Sequence, residues 1–474
     1  MPIDTRTKIL ATIGPATNTK EQIEKLISAG VDAFRINFSH GSFKEHQKNI
    51  QIIRKIEKEK KLLITIVADL QGPKLRVGNF KEEKVLLKEG QKFVLDLEQK
   101  LGDNTRVCLP HKEIFKAIKI GENLLVNDGY IVLKVTNVCD KKIETIVKVG
   151  GYISSHKGVN LPNTKLDISA ITDKDKKDIK FALDKGVDWI GLSFVQKLED
   201  VVELKKLVGG KARIISKLEK PSAIDDLHNI VKESDAIMVA RGDLGVECPL
   251  ETVPVLQKKI VKTCRMYAKP VIIATQMLES MIVNPTPTRA EVSDVATAVY
   301  DGADTVMLSA ETAMGKYPSL AVKMMHKIIA EVEKDPLFFE LMHSSRKSHF
   351  MSTEADAITF AASEISSALK KVSAIVCYSS SGFTTFLTAS ERPNLPILAL
   401  SPNIKIARQM GIVWGVKPFV NKESFNKFAK VEQCAVEYAK MSGYGVSGSH
   451  IIITAGFPLN QAGRTNMLHT VYIP

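Results

Sequence analysis

A lysine and a glutamate at alternate positions of one predicted strand have the spacing of a charged site. They lie in "SKLEKP", residues 216 to 221, at the end of the apolar stretch "ARIIS". Because a strand projects alternate side chains to opposite faces, Lys217 and Glu219 point the same way, as a cation beside an anion. Such a pair is either a local salt bridge or part of a site that binds a charged ligand, and the spacing fits both equally well.

Polar side chains also end five further apolar runs of the chain. A single charge at a strand end is usually solvated or paired locally, but like charges brought together by six strands need a compensating cation and an anionic ligand. In chain order the residues are Arg35, Asn37 and Ser39 followed by His40, then Asp69, Lys217 and Glu219, Arg241 and Asp243, Thr275, and finally Ser309 and Glu311.

Two of these carboxylates are spaced to hold a metal ion. Glu219 and Asp243 end successive predicted strands, which lie about 4.8 Å apart in a sheet. Magnesium takes one or two carboxylates together with substrate oxygens and waters, so the pair predicts a Mg²⁺ site. Lys217 would then face the metal and its anion, placing positive charge where negative charge develops during a reaction. Alternatively, each carboxylate pairs with Lys217 or Arg241 in a salt bridge.

The elements that must position these residues alternate between strand and helix. Eight short β-branched runs begin at residues 7, 31, 62, 187, 212, 234, 270 and 303, and helical patterns follow them. One helix, in "TRAEVSDVATAVYDG", opens with Thr288 and Glu291 at capping-box spacing. Eight such units predict an α/β fold with a (β/α)₈ TIM barrel rather than an open sheet, and catalytic groups of these barrels lie at the carboxyl ends of the strands.

Two further units complete the predicted architecture. Roughly ninety residues interrupt the third barrel unit, and an insertion of that length normally carries its own structure. Its alternating runs and glycine turns predict an inserted small all-β barrel domain over 74–165. The catalytic barrel then comprises 1–73 and 166–345, and a C-terminal α/β domain with its own sheet covers 346–474.

The composition of the chain indicates which kinds of molecule the protein binds. The 474-residue chain has a formal net charge of +13, but its lysines lie in mixed helical segments without aromatic-studded basic clusters, which argues against nucleic acid. Apolar stretches are too short to span a bilayer and the amino terminus lacks a signal pattern, so we expect a cytoplasmic protein with no membrane partner. The positive charge would instead concentrate an anionic substrate.

Common nucleotide-binding loops are missing from the sequence. It contains no G-x-x-x-x-G-K-[ST] loop, and its one match to the dinucleotide G-x-G-x-x-G pattern, "GYGVSG" at 443–448, precedes the apolar run "HIIITAG" instead of following a strand and opening a helix. A nucleotide would therefore be held by other groups, and the candidates are Arg35, His40, Arg76 and Lys157 of the insert. His40 alone is more often a structural histidine.

Nine segments, read together and in order, resemble the pyruvate kinase family over nearly the whole chain. They are "TKILATIGPAT", "FRINFSHG", "ADLQGPKLR", "KGVNLP", "SKLEKPSAIDDL", "IMVARGDLGVE", "ATQMLESM", "PTPTRAEVSDVATAVYDGAD" and "MLSAETAMGKYP". The resemblance implies a glycolytic kinase that transfers the phosphoryl group of phosphoenolpyruvate to ADP, giving ATP and pyruvate. It also implies a homotetramer, with "TRAEVSDV" and the C-terminal domain near subunit contacts.

The same resemblance implies a role for each matching residue. Glu219 and Asp243 would bind Mg²⁺ or Mn²⁺, while Lys217 and Arg35 would contact the phosphoryl group. Thr275 with nearby water would deliver a proton on the side lined by Ser309 and Glu311, and Gly242 would contact substrate. The residues implied to hold ADP with a second Mg²⁺ are Asn37, His40, Arg76 and Lys157.

The segment after the third run departs from the form found in family members that require K⁺. Those members usually read "DTKGPEIR" where this chain reads "ADLQGPKLR". The monovalent-cation region is then Asn37, Ser39, Asp69, Leu70 and Lys74. Within the family a lysine at Lys74 goes with K⁺ independence, since its ammonium can supply the missing charge. Otherwise Lys74 is an exposed hinge residue.

A serine-rich turn in the C-terminal domain resembles the effector phosphate loop of the family. In "YSSSGFTTF", the residues Ser379, Ser380, Ser381, Gly382 and Thr384 would form an anion nest. Phe383 stands where many members carry arginine, and "GFPLNQAGRTNM" differs from the form associated with fructose bisphosphate. We therefore expect activation by a sugar monophosphate or AMP, although serine-rich turns are often only turns.

Two other functions fit parts of the sequence. A barrel lyase or aldolase acting on phosphoenolpyruvate or pyruvate would use the same carboxylates, but it needs neither the insert nor the C-terminal domain. An inactive effector-sensing paralogue would keep the C-terminal domain, but it has no need of Lys217, Glu219, Asp243 and Thr275 together. Pyruvate formation that depends strictly on ADP would separate the kinase from both.

Overall fold

The computed structural model describes residues 5–164, 166, 168–344, 353–421, 425, 427–459 and 464–474. Its strands are β1 (Lys8–Ile13), β2 (Ala33–Asn37), β3 (Thr65–Asp69), β4 (Val85–Leu87), β5 (Lys92–Asp96), β6 (Arg106–Cys108), β7 (Asn123–Val126), β8 (Ile131–Cys139), β9 (Lys142–Val149), β10 (Gly151–Ile153), β11 (Val159–Asn160), β12 (Trp189–Leu192), β13 (Arg213–Leu218), β14 (Ala236–Ala240), β15 (Val271–Ala274), β16 (Thr305–Leu308), β17 (Val372–Tyr378), β18 (Ile397–Ser401), β19 (Val416–Val420), β20 (His450–Ala455) and β21 (Met467–Tyr472).

The helices alternate with strands through most of the chain. They are α1 (Lys20–Ala29), α2 (Phe43–Lys60), α3 (Lys112–Ala117), α4 (Asp173–Asp184), α5 (Leu198–Val208), α6 (Pro221–Asp225), α7 (Leu227–Glu233), α8 (Arg241–Glu247), α9 (Val253–Met266), α10 (Arg289–Tyr300), α11 (Ala310–Ala313), α12 (Pro318–Val332), α13 (Pro336–Ser344), α14 (Glu354–Ala368), α15 (Phe383–Ser390), α16 (Ile404–Gln409) and α17 (Phe428–Met441). No helix among the described residues is long and apolar enough to cross a membrane.

Eight parallel strands close a barrel, which confirms the predicted (β/α)₈ fold. The order around the barrel is β1, β16, β15, β14, β13, β12, β3 and β2, and each predicted apolar run contains one of these strands. All residues of β1, β3 and β14 are buried. Continuous apolar runs are expected where helices cover the outer face of a parallel sheet and side chains fill its interior.

The helices begin where the sequence supplies capping residues. Thr288 precedes α10, its Oγ1 accepts the Glu291 N–H at 3.3 Å, and Glu291 Oε2 accepts the Thr288 N–H at 2.7 Å. The capping box predicted from this spacing is therefore confirmed. Val295 and Val299 on the same helix are fully buried, so α10 turns this side toward the core.

The insert lies between β3 and β12, which are paired neighbours in the barrel, so both of its connections reach the same part of the rim. Its strands form a six-stranded sheet in the order β11, β7, β8, β9, β5 and β6, together with a two-stranded sheet of β10 and β4. These sheets enclose a hydrophobic cluster separate from that of the barrel. The short helix α3 is an addition to the expected all-β insert.

The C-terminal unit has the separate sheet predicted for it. Its order is β19, β18, β17, β20 and β21, and only β21 is antiparallel to its neighbour. This unit packs on the amino end of the barrel, where Trp189 Nε1 donates to the Gln409 carbonyl at 3.1 Å and Thr305 Oγ1 donates to the Ile412 carbonyl at 2.7 Å. Interior barrel residues and the C-terminal unit share one hydrophobic cluster.

Candidate active site

Lys217 lies at the centre of a buried polar cluster at the carboxyl end of the barrel. Its Nζ is 2.9 Å from Glu219 Oε1 and 3.2 Å from Asp69 Oδ1, and it donates a hydrogen bond of 2.7 Å to Ser193 Oγ. The prediction that Lys217 and Glu219 point the same way is confirmed. The ammonium is salt-bridged to Glu219 and also belongs to a larger charged cluster, so the two interpretations of this pair are compatible.

Asp69 is a buried carboxylate held between two cations. Its Oδ2 accepts a hydrogen bond of 2.6 Å from Arg35 Nε, and Arg35 Nη1 donates to Thr12 Oγ1 at 3.1 Å. Burial opposes ionisation of Asp69, but Lys217 and Arg35 more than offset it and hold its pKa below the usual value. Burial likewise disfavours the charged form of Lys217, yet Asp69 and Glu219 raise its pKa. Both groups are therefore charged at neutral pH.

The two oxygens of Glu219 differ in their contacts. Its Oε2 accepts the Phe194 N–H at 2.8 Å, whereas the buried Oε1 touches the Lys217 ammonium without accepting a hydrogen bond. Burial raises the pKa of Glu219 to about 7 against the opposing effect of Lys217, and the charge of Asp243 raises it further. A divalent cation would offset the cost of the buried negative charge, so this carboxylate oxygen is suited to bind a hard divalent cation.

Asp243, the second carboxylate expected at the metal site, does not lie on a strand as predicted. Strand β14 ends at Ala240 and α8 begins directly at Arg241, so Asp243 lies in the first helical turn and is half-buried. The described residues contain no cluster of three or more His, Cys, Asp or Glu side chains that could hold a metal. Two carboxylates fit Mg²⁺ or Mn²⁺ if substrate and water provide the other oxygens.

The helical position also separates Arg241 from Asp243, because alternation along a strand no longer applies. Arg241 forms a two-pronged ion pair with Asp294 of α10, with bonds of 2.6 and 2.7 Å. Its Nη2 also donates to the Thr275 carbonyl at 2.8 Å. Ser39 is a similar correction, since β2 ends at Asn37 and Ser39 lies in the following turn, where its N–H donates to Asn37 Oδ1.

Thr275 lies just after β15 in an unusual backbone conformation. Its φ of 70° is rare for a β-branched residue, and the next residue, Gln276, has a φ of 55°. Thr275 Oγ1 accepts the Gly242 N–H at 2.7 Å and donates to the Ala274 carbonyl at 2.6 Å. Strained backbone of this kind often accompanies a functional site. The bond between Thr275 and Gly242 also links the chain after β15 to the chain after β14.

Ser309 and Glu311 lie beyond the last barrel strand and do not end it as predicted, because β16 ends at Leu308 and the short helix α11 contains Glu311. Glu311 is buried, and its two oxygens accept the backbone N–H groups of Ser309 at 2.7 Å and Leu278 at 3.2 Å. Burial raises the pKa of Glu311 despite these hydrogen bonds. The hydroxyl of Ser309 is buried without a hydrogen-bond partner, so it can still donate to or accept from a ligand.

The residues expected to hold a nucleotide are divided between the barrel and the insert. Asn37 and the exposed His40 lie at the end of β2. Arg76 Nη1 donates to the His156 carbonyl at 2.8 Å inside the insert, and the Lys157 carbonyl accepts the Val77 N–H at 3.0 Å. Between the two units runs a cleft whose lining includes Lys74, Gly158, Phe194, Lys220 and Asp243.

The expected effector residues form a turn between β17 and α15. Ser379 Oγ accepts the Gly382 N–H at 2.9 Å, and Gly382 has a φ of 83°. The Ser381 carbonyl accepts a hydrogen bond of 2.6 Å from Arg213, whereas Thr384 is buried with its hydroxyl bonded to that of Thr465 at 2.6 Å. Thr384 is therefore engaged within the fold, while Ser380 and Ser381 are half-buried.

Several residues of the site were missed by sequence reasoning. Ser193 follows the fourth barrel strand, and the strand-end rule applied to that run would have found it. Glu247 had no comparable signal, since it lies at the end of α8 and accepts from Lys220 at 2.6 Å and from Asn160 of the insert at 2.8 Å. This contact joins the insert to the barrel across the cleft.

Comparison with known proteins agrees with this geometry. A family model described as "Pyruvate kinase, barrel domain" matches residues 4–322, and "Pyruvate kinase, alpha/beta domain" matches residues 356–471. The chain is 47% identical over 471 residues to pyruvate kinase of Methylorubrum extorquens, which covers 99% of this chain and 97% of that protein. It is 45% and 46% identical to two pyruvate kinases of Agrobacterium vitis, over 99% and 98% of this chain and 97% of each relative.

A barrel with a buried lysine and carboxylate cluster at its carboxyl end, an inserted β unit and a C-terminal α/β unit defines a class of barrel phosphotransferases. The chain belongs to the pyruvate kinase family and is an enzyme of the phosphotransferase class.

Proposed function

We propose that this enzyme transfers the phosphoryl group of phosphoenolpyruvate to ADP in glycolysis, in the cytoplasm. The observation that carries the proposal is the buried cluster in which Lys217 contacts Asp69, Glu219 and Ser193 at the carboxyl end of the barrel. In the reaction, the phosphorus–oxygen bond of phosphoenolpyruvate breaks and a new bond forms to a terminal oxygen of ADP. The enolate left behind takes a proton on carbon to give pyruvate.

The side chains of the cluster suit that chemistry because phosphoryl transfer chiefly needs positioning and charge neutralisation. The charged Lys217 and Arg35 would bind the phosphoryl oxygens, and Lys217 would stabilise the negative charge that develops on the enolate oxygen. Asp69 would keep both cations in place through its two oxygens. Thr275, with Ser309 and Glu311 nearby on the rim, would guide water to the face where the proton is delivered.

Glu219 and Asp243 would hold the divalent cation, Mg²⁺ or Mn²⁺, whose chemistry is to neutralise charge on phosphate and carboxylate oxygens. The buried Oε1 of Glu219 supports this assignment, since it contacts the Lys217 ammonium at 2.9 Å without an aligned hydrogen bond. Gly242 would contact substrate beside Asp243, while Asn37, His40, Arg76 and Lys157 would bind the nucleotide between the barrel and the insert. The insert, residues 74–165, would act as a lid that excludes water from the barrel of 1–73 and 166–345.

Lys74 supports the proposal that K⁺ is not required. It lines the cleft together with Asp243, so its ammonium would place a fixed positive charge beside the carboxylates. Asn37, Ser39, Asp69 and Leu70 complete the region where a monovalent cation would otherwise bind. The buried Leu70 offers no side-chain oxygen to such an ion.

The turn of Ser379, Ser380, Ser381, Gly382 and Thr384 supports a regulatory role for the unit 346–474. The half-buried Ser380 and Ser381 of this turn would receive the phosphate of a sugar monophosphate or AMP, and the bond from the Gly382 N–H to Ser379 would hold the turn in shape. Isothermal titration with ribose 5-phosphate, glucose 6-phosphate and AMP tests this part, and no heat with any of them would remove it. We also propose a homotetramer, which sedimentation of the whole chain would check.

A lactate dehydrogenase-coupled assay tests the central proposal. The purified enzyme should form pyruvate from phosphoenolpyruvate only when ADP is present, whereas a lyase would not need ADP and an inactive paralogue would form none. Lys217→Met should lose most of the turnover while Mn²⁺ still binds. Lys177→Met, an exposed change on α4, is the control that should behave as wild type. Unimpaired turnover in Lys217→Met would refute the role of Lys217.

A further inference from the structure

Ser193 is the only neutral group among the three that surround the Lys217 ammonium, and the geometry of its contact differs from the others. Lys217 Nζ donates to Ser193 Oγ at 2.7 Å. Asp69 Oδ1 and Glu219 Oε1 lie at 3.2 and 2.9 Å, but both oxygens are buried without an aligned hydrogen bond. The hydrogen bond to Ser193 is thus the best aligned of the three contacts of the ammonium, while the two carboxylates supply the charge that keeps it protonated.

The orientation of the Ser193 hydroxyl is itself determined. Ser193 is buried, and its Oγ donates to the Leu70 carbonyl at 2.8 Å. Because a carbonyl only accepts and a charged ammonium only donates, the hydroxyl proton must face Leu70 and a lone pair must face Lys217. The two hydrogen bonds therefore run in one direction, from Lys217 to Ser193 and from Ser193 to the Leu70 carbonyl. Ser193 is thus always the acceptor toward Lys217.

The turn that carries Ser193 is held in place from two sides. Phe194 adopts a φ of 56°, and its N–H donates to Glu219 Oε2 at 2.8 Å. Gly72, with a φ of 67°, packs on the other side, where a Cβ would lie 2.9 Å from the Phe194 ring and 3.1 Å from Ser193 Cβ. Left-handed backbone at a residue other than glycine, such as Phe194, persists only where its surroundings enforce it, so this turn is rigidly placed.

We infer that Ser193 is a positioning residue that aims the Lys217 ammonium at the phosphoryl group. The inference rests on the proposed function of the site. When Glu219 binds a cation, its attraction for Lys217 is weakened, and Asp69 is shared with Arg35. A neutral acceptor then holds the ammonium without cancelling the charge that substrate needs, which a third carboxylate would do.

Ser193→Ala tests the inference in the whole enzyme. Removal of a hydrogen bond to a charged group should lower kcat by roughly 10- to 100-fold. The KM for phosphoenolpyruvate and the Kd for Mn²⁺ should stay close to wild type, since Glu219 and Asp243 remain. Ser193→Thr keeps the hydroxyl and should recover much of the turnover. In a Lys217→Met background, Ser193→Ala should cause no further loss, because the serine acts through that lysine.

Ser216→Ala is the matched control for a buried serine of the barrel. Ser216 lies next to Lys217 on β13 but bonds to Ser234 Oγ at 2.6 Å, on the opposite face of the strand. If Ser193→Ala and Ser216→Ala lower kcat equally, or if Ser193→Ala reduces turnover further without Lys217, the inference is wrong while the kinase assignment stands. Absence of ADP-dependent pyruvate formation by the wild type would instead overturn both.

Discussion

Arg213 and Lys217 occupy opposite ends of the same strand, β13. Lys217 is in the polar cluster at the carboxyl end, whereas the Arg213 guanidinium reaches the C-terminal unit at the amino end. There it donates to the Ser381 carbonyl at 2.6 Å and to Gln409 Oε1 at 3.1 Å, and lies 4.5 Å from the centre of the Phe386 ring. One strand thus joins the candidate effector turn to the candidate active site.

Replacing Arg213 should loosen the junction between the two units. Loss of its hydrogen bonds in Arg213→Ala is expected to cost about 2–3 kcal/mol. The thermal midpoint should fall, and hydrogen exchange in α15 should accelerate. Arg213→Lys keeps the charge but cannot reproduce the planar fork, so its effect should be intermediate. Exchange in α15 that is unchanged in Arg213→Ala would contradict this account of the junction.

The raised pKa of Glu219 predicts a pH-dependent stability in metal-free enzyme. Burial lifts this pKa to about 7, above its unfolded value, so the folded state binds the proton more tightly. The resulting stability is present at low pH and is lost as pH rises through about 7. In EDTA, the melting temperature of wild type relative to Glu219→Gln should therefore decline between about pH 5 and pH 8. A constant difference across that range would argue against a raised pKa.

Removal of the Glu219 carboxylate should weaken divalent cation binding. Glu219→Gln is expected to raise the Kd for Mn²⁺ at least about tenfold, because even groups behind the metal ligands are worth that much. Glu311→Gln is the control, since it also neutralises a buried carboxylate at the rim but bonds only to the backbone of Ser309 and Leu278. Electron paramagnetic resonance of free Mn²⁺ measures both. Equal affinities in the two variants would exclude Glu219 as a ligand.

Lys74 should make turnover independent of K⁺. The wild-type rate in tetramethylammonium buffer is expected to match that in K⁺ buffer at equal ionic strength. Lys74→Glu removes the ammonium from the cleft that Asp243 lines, so this variant should be slow in tetramethylammonium and recover when K⁺ is added. A strict K⁺ requirement in the wild type would show that Lys74 does not replace the ion.

Asn160 should restrain the insert through Glu247. Its Nδ2 donates to Glu247 Oε1 at 2.8 Å, across the cleft between the insert and the barrel. Asn160→Ala is expected to increase hydrogen exchange in β7 and β11 without changing exchange in the barrel strands. Asn137→Ala, on the exposed part of β8, is the matched control. Identical exchange in both variants would mean that the contact does not restrain the insert.

The periodic pattern of apolar residues predicted the strands and helices well, because the burial of one face of each element enforces that pattern. The eight apolar runs of the barrel and the alternation of Lys217 and Glu219 both follow from side chains that must face a packed interior or a polar rim. Alternation failed at Asp243, since nothing in "VARGDLG" marks the point where β14 gives way to α8. Element boundaries depend on local hydrogen bonds that apolar patterning does not encode.

Contacts between segments that are distant in the chain could not be predicted from the sequence. Ser193 looks like any small polar residue after a strand, and its importance appears only when the barrel brings Leu70 and Lys217 to it. Thr384 belongs to a serine-rich turn typical of anion binding, but its hydroxyl bonds to Thr465, 81 residues away. Side-chain partners at such separations are fixed by tertiary packing, which one sequence does not show.

The insert is tethered to the barrel by the segment that contains Gly72, between β3 and the cleft. Gly72 lies so close to Ser193 and Phe194 that a Cβ at this position would be 2.9 Å from the Phe194 ring. A rotation of the insert about this segment would therefore displace the two residues that bond to Lys217 and Glu219. Opening of the insert and loosening of the contacts that hold the Lys217 side chain would then occur together. Such a hinge would keep Lys217 and Glu219 out of their active arrangement until the substrates are enclosed. This coupling would protect a labile phosphate ester from hydrolysis by water.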